Sequence, residues 1–367
     1  MSEEFKSEEE QIKEIEKIDK EYELYDFSKL DRNVKKVTAE NISKQELRSL
    51  VDLYYQTQNQ RIRIQNQIRA IEQNADDEFK NSADVLKWSF ENEYFKEKQL
   101  ADIFKYYMKT TKTGQWLSQI KGIGPRFAVV LLAYLDIDGK KAAGQFHSFC
   151  GLNDNNKPWY GKEKAKKIVN EVMGDEKVIT FDHLMKLSEI TGRSVSSLEK
   201  MSIVMDNKTH KPKLKNKKIQ KTKDQLIKGL SMIPYNAFLK KTCYLISKSF
   251  VLSKNRGSLY GEIYMDRKAV ETRKNEAGEF REQALRSLEE KNYTDKDAIE
   301  TLKSGKLTGL HIENRARRYA VKLFISHLFE QMWIEEYGTE PPTPYIIEYG
   351  EEFEHNGYIE PEVPYIW

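Results

Sequence analysis

The sharpest alternation of apolar and polar positions lies on either side of a glycine turn. Trp116, Leu117 and Ile120 close a short amphipathic helix, Lys121-Gly122-Ile123-Gly124-Pro125 makes a tight connection, and residues 127–135 read as a second, mostly buried helix. That pattern predicts a helix-hairpin-helix. Upstream, Leu47, Leu50, Tyr54, Ile64, Ile68 and Ile71 fall on a and d heptad positions of one long helix, interrupted by Thr57 and Arg61. Residues 83–108, with Trp88, Phe90, Tyr94, Phe95, Phe104 and Tyr107, read as a helix that packs back on it, the aromatic stripe serving as core. Downstream, Leu184, Leu187 and Ile190, then Thr191-Gly192, then Val195, Leu198 and Met201 have the spacing of a helix-turn-helix; a plain helical hairpin has the same spacing. Further core helices are predicted over 236–252 and 309–332. The expected fold class is therefore mainly α: a coiled coil or helical hairpin, followed by a helix-hairpin-helix helical domain with an inserted helix-turn-helix.

Breaks in this pattern set the domain boundaries. An acidic arm, solvated helix or disordered, covers 1–45 and the coiled coil or hairpin 46–112. The first part of the helix-hairpin-helix domain covers 113–175, the insert 176–204, a flexible lysine-rich linker 205–225, the second part of the domain 226–334, and an extended, surface-bound acidic tail 335–367. No run approaches the roughly 18 apolar residues that span a bilayer, and the acidic start is no secretory signal, so a cytoplasmic protein without a membrane partner is expected. Cys150 and Cys243, among apolar or small neighbours, are read as buried thiols of a reducing compartment. Charge is unevenly spread. Residues 1–26 carry a net −7 and residues 335–367 a net −9, so in a chain of net +3 the segment between holds +19. A polyanion would bind there.

Candidate chemistry follows that charge. Gly122 and Gly124 supply the backbone freedom of a turn and let another backbone come close. Pro125 suits a first helical position, so the amides around it face outward at the positive end of a helix, where a phosphate is the natural ligand; Lys121 and Arg126 flank it. The bland reading is a sharp turn between packed helices. Lys162, Lys164, Lys166 and Lys167 form a basic helix face, either phosphate-binding or merely solvated. Arg193, Ser194, Ser196 and Ser197 would stand on the groove-facing helix of the insert. Eight lysines between 208 and 223, Lys217 and Lys218 among them, would hold nucleic acid without sequence preference. The last helix offers His311, Arg315, Arg317, Arg318 and Lys322 on its polar face. The glutamate-rich tail could cover the basic centre as a polyanion mimic. Phosphate-loop, nucleophile-elbow and zincin motifs are missing from the sequence, and His147, His183, His311 and His327 are scattered. Asp136 and Asp138 read as capping residues, and neither a metal site nor a cofactor is expected.

KGIGPRFAVVLLAYLDI followed by FHSFCGL resembles the opening of the C-terminal domain of insertion-sequence transposases that pair a RuvC-like nuclease domain with a serine domain and are guided by a bridge RNA. LRSLVDLYYQTQNQRIRIQNQI resembles the coiled coil preceding that domain; NAFLKKTCYLISKSF, LYGEIYMDRK and HIENRARRYAVKLFISHLFEQMW resemble its later helices. The likeness covers roughly residues 46–337. Two departures limit it. Only about forty-five residues precede the coiled coil, too few for the metal-holding RuvC-like domain, and the place matching the family's nucleophilic serine reads Trp159-Tyr160-Gly161. The resemblance implies a DNA- or structured-RNA-binding protein of a mobile element or phage, in a prokaryotic cell or phage-infected host, without its own nuclease centre. A homodimer through the coiled coil would present two hairpins to two half-sites. A first alternative is an active recombinase using Tyr160, whose phenol can attack phosphorus, or using a nuclease partner; Mg2+ would enter only there. A second is an interaction scaffold whose acidic termini recruit protein partners.

Overall fold

The computed structural model describes residues 29–74, 80–153, 159–206, 211–215, 218–342 and 359–366. The acidic arm up to residue 28, Lys217 and the tail over 343–358 lie outside the described residues. The fold is mainly helical, with fifteen α-helices and one two-stranded ribbon among the described residues. None of these helices is long and apolar enough to cross a membrane. The chain divides into two compact units, Met1–Gln119 with Ile123–Tyr134, and Ile120–Gly122 with Leu135–Trp367.

The first unit holds α1 (Arg32–Asn41), α2 (Lys44–Asn74), α3 (Lys80–Tyr107), α4 (Lys112–Gln119) and α5 (Pro125–Tyr134). The long helices α2 and α3 pack along each other, and α5 packs on both. The apolar spacing explains this in part: Leu47 and Tyr54 from α2, joined by Val51 in place of the half-buried Leu50, meet Leu100, Ile103 and Phe104 from α3 in a core that excludes water. Glu97 sits within the seam and gathers Tyr54, Gln58 and Arg61, at 2.7, 2.8 and 2.6 Å. The aromatic stripe is only partly core. Phe104 is buried, whereas Trp88 is 67% exposed and Tyr94 and Phe95 are exposed as well, since a helix pair buries only one seam. Of the two readings of the 1–45 arm, residues 32–41 take the helical one. α1 is capped by the Asp31 side chain, packs on α3, and buries Lys35, which pairs with Asp102 at 3.3 Å.

The second unit contains α6 (Ala143–Phe149), α7 (Lys162–Met173), α8 (Phe181–Thr191), α9 (Val195–Ser202), β1 (Leu214–Lys215), β2 (Lys218–Ile219), α10 (Lys223–Ser231), α11 (Ala237–Ser253), α12 (Leu259–Glu276), α13 (Arg281–Glu290), α14 (Lys296–Lys303) and α15 (Gly309–Tyr337). α15 is its spine, packed by α6, α11 and α12. Stacked and edge-on rings of Phe250, Tyr260 and Phe324 fill that junction. A satellite core of Ala165, Val169, Leu187, Leu198, Leu226 and Leu230 binds α7 to α10 into one layer. The lysine-rich segment departs from a flexible linker. Leu214 pairs with Ile219 and Lys215 with Lys218, and bridges Ile203–Lys221 and Met205–Pro212 extend the ribbon. The lysines alternate with Leu214, Ile219 and other non-charged residues, and that period of two suits a strand even where charge is dense.

Candidate nucleic-acid interface

α4 ends, the chain turns through residues 120–124, and Pro125 opens α5. Gly122 has φ +95°, a backbone region that L side chains rarely adopt, which is why a glycine stands there. The turn is tied within the second unit. Ser249 Oγ donates to Gly122 O at 2.6 Å, Ser258 Oγ to Lys121 O at 3.4 Å, and Lys121 Nζ to Gly257 O at 2.8 Å. The Lys121 amide donates to Glu362 Oε1 at 3.0 Å. Gly124 has open space where a Cβ would stand. Arg126, predicted to flank the turn's ligand, is exposed and donates to Tyr54 Oη at 3.2 Å within the first unit. That phenol is pushed up to about 12 by burial and by its bond to Glu97.

Lys162, Lys164, Lys166 and Lys167 are exposed on α7, whose opposite face supplies Ala165, Ile168 and Val169 to the core. Tyr160 packs its ring against that core, with Lys164 Nζ 5.6 Å from the ring centre, and Trp159 Nε1 donates to Ser231 O at 2.7 Å. In the insert, Gly192 ends α8 in the left-handed region, and Ser194 caps α9 by accepting from Ser197 N. Ser194 therefore spends its acceptor locally, and Ser196 is exposed. Arg193 is buried, 5% exposed, and lines a cleft of about 710 Å3 with Met201, Met205 and Met232. Its guanidinium does not lie on an outer face that a groove would meet. Lys218 is exposed on the ribbon.

The three arginines of α15 divide. Glu271, 1% exposed, receives Arg315 at 2.6 Å and Arg267 at 2.5 Å. Burial works to raise the Glu271 carboxyl, but the two guanidinium partners outweigh it and hold the group below its ordinary value. Glu313 likewise takes Arg317 at 2.8 Å and Lys268 at 2.7 Å. Arg318 is exposed. Arg317 and Arg318 then line a cleft of about 240 Å3 between α11 and α15, together with Lys240, Tyr244, Ser247 and Asn314. Among the described residues lining it there is no carboxylate, and Arg317 Nε makes no hydrogen bond. Lys248 Nζ lies 4.8 Å from the Tyr244 ring centre, beside the same cleft. Sequence reasoning missed Lys240, Tyr244 and Lys248. Their spacing of four on a helix with an apolar opposite face is the signal that places them together.

The cysteines are both buried and free; a thiol–thiol hydrogen bond with Cys150, with burial, pushes the Cys243 thiol up. His147 bonds Lys322 O at 2.9 Å and His327 bonds Tyr260 Oη at 2.9 Å and Ile359 O at 2.8 Å, so both act in packing. Among the described residues, no three His, Cys, Asp or Glu side chains are placed to hold a metal ion. Set beside protein-family models, curated proteins and solved structures, the chain matches none of them.

Proposed function

We propose that this chain is a nucleic-acid-binding protein, with duplex DNA as its first substrate, related to the transposases and recombinases of mobile elements or phages. The observation that carries the reading is the α11–α15 cleft. Lys240 and Arg318, with Arg317 shared with Glu313 and no carboxylate in the lining itself, form beside the exposed Tyr244 a seat for a phosphodiester and its sugar. The lysine face of α7 and exposed Lys218 supply further charge that counterion release rewards. In this reading α4, the turn and α5 act as a helix-hairpin-helix, α8 and α9 as a helix-turn-helix, and the protein works in the cytoplasm as a dimer through α2 and α3.

The test is anisotropy of labelled duplex DNA, single-stranded DNA and folded RNA across a salt series. Lys240→Ala and Arg318→Ala alter exposed side chains and leave the core intact. Each is expected to weaken binding and to reduce the slope of log K against log salt by about one. Absence of binding to all three probes, or unchanged slopes in both variants, overturns the reading.

A further inference from the structure

The turn before α5 already holds an anion. Glu362 Oε1 accepts from the Lys121 amide at 3.0 Å, and the same carboxyl faces the Leu259 amide at the start of α12. Every other polar contact of the turn described above fixes its shape. Lys121 Nζ and the carbonyls of Lys121 and Gly122 are engaged, which leaves the Lys121 amide aimed at the carboxylate. Glu362 Oε2 is buried with no hydrogen-bond partner.

The carboxylate does not hold itself there. Burial pushes the Glu362 carboxyl up, and Glu262 adds to that, against the opposing pull of the two amides and of Lys121. The seat is kept by the anchors of its own segment, residues 359–366, along α15. His327 takes Ile359 O at 2.8 Å, Gln331 binds Ile366 N at 2.8 Å and Ile366 O at 3.3 Å, and Tyr365 Oη donates to Glu330. A phosphodiester is a better guest for such a seat, because it stays ionised at any pH where the fold persists and spreads its charge over two oxygens.

We propose that residues 359–366 are an intramolecular competitor: Glu362 occupies the seat of a backbone phosphate at the Lys121 and Leu259 amides, and nucleic acid engages the turn only when this strap leaves. The inference rests on the nucleic-acid reading above and adds its regulation. A ligand that must displace a docked strap binds with its intrinsic affinity reduced by the fraction of molecules in which the seat is open.

The experiment uses the full chain, as wild type, Glu362→Ala and Tyr365→Phe. The second variant loosens an anchor without touching the seat, so it tests the idea even if the first folds poorly by circular dichroism. Duplex DNA affinity is measured at fixed salt, and hydrogen exchange over 359–366 is followed with and without DNA. The expected result is binding roughly tenfold tighter for Glu362→Ala and several-fold tighter for Tyr365→Phe, with DNA accelerating exchange of the strap in the wild type. If wild type binds DNA but neither variant binds tighter and exchange is unchanged, the strap is structural and the inference falls while the nucleic-acid reading stands. If wild type and variants all fail to bind, both fall together.

Discussion

Glu271 is the side chain on which the charges of the second unit converge. It is almost wholly buried between Arg267 and Arg315, and Gln283 and the Phe280 ring complete the surroundings of Arg315. Removing the carboxylate would strand two guanidinium groups that have given up part of their hydration. Glu271→Ala is expected to destabilise the chain by roughly 3 kcal/mol in urea unfolding, while Glu271→Gln, which keeps the shape and one acceptor, costs less. Arg267 with Glu271 and Glu313 with Arg317 stand four apart, a pairing readable from the sequence; what was not readable is that such pairs turn inward, because burial depends on which helix covers that face. The same limit applies to Arg193, a polar letter at a turn that the fold hides. Tyr160 belongs to this scale as well. Its ring packs against the α7–α10 core, so Tyr160→Phe is expected to keep DNA affinity within about twofold and stability within ~1 kcal/mol. A covalent protein–DNA adduct on denaturing gels, lost in that variant, would instead establish the recombinase alternative.

Helices were legible where apolar spacing and a local cap agreed. α2, α11 and α15 start where the heptads, Asn236 and Gly309 put them, with Thr308 as the last one's cap, whereas α9 starts at Val195 rather than Arg193 because Ser194 is its cap. The ribbon over 214–219 was not legible, since lysine density masks a period of two, and for the segment that holds α1 the sequence left helix and disorder both open. The glycine turn is the element where sequence motif and geometry meet, and its two glycines are predicted to behave differently. A Cβ at Gly122 would take a left-handed conformation and meet Phe250, Ser249 and Ser253 at 3.2 to 3.3 Å. Gly122→Ala should therefore cost about 1–2 kcal/mol of stability whatever the ligand. Gly124 has nothing within 4 Å of that position, so Gly124→Ala should fold as well as wild type. If the turn receives a nucleic-acid backbone, the added methyl group stands in its way and affinity falls several-fold. Equal affinity of Gly124→Ala and wild type would leave the turn with a purely structural role.

At the scale of the whole chain, the distribution of histidine separates the two units. The basic middle and acidic ends were plain in the sequence, but the contact between Glu362 and the turn was not, because 241 residues separate it from Lys121. Histidine gives the units different acid responses. All six histidines lie in the second unit's share of the chain. Burial pushes His327 down to about 4, and burial with the nearby Lys322 does the same for His147. Both groups are neutral in the folded state and ordinary imidazoles, near 6.5, in the unfolded one. Between those values the unfolded chain binds more protons than the folded chain, so stability is full above about pH 6.5 and is lost as pH falls toward 4. His327, 1% exposed, carries most of this, on the order of 3 kcal/mol across the window, and His147, which is partly exposed, carries less. Hydrogen exchange at pH 7 and pH 4.5, corrected for intrinsic rates, should show deprotection of α6, α12 and α15 with the first unit little changed. His327→Gln is expected to lower stability at pH 7, where the Tyr260 and Ile359 contacts are lost, and to flatten the acid dependence. A variant as acid-sensitive as wild type would shift the origin of that sensitivity from His327 to the carboxylates.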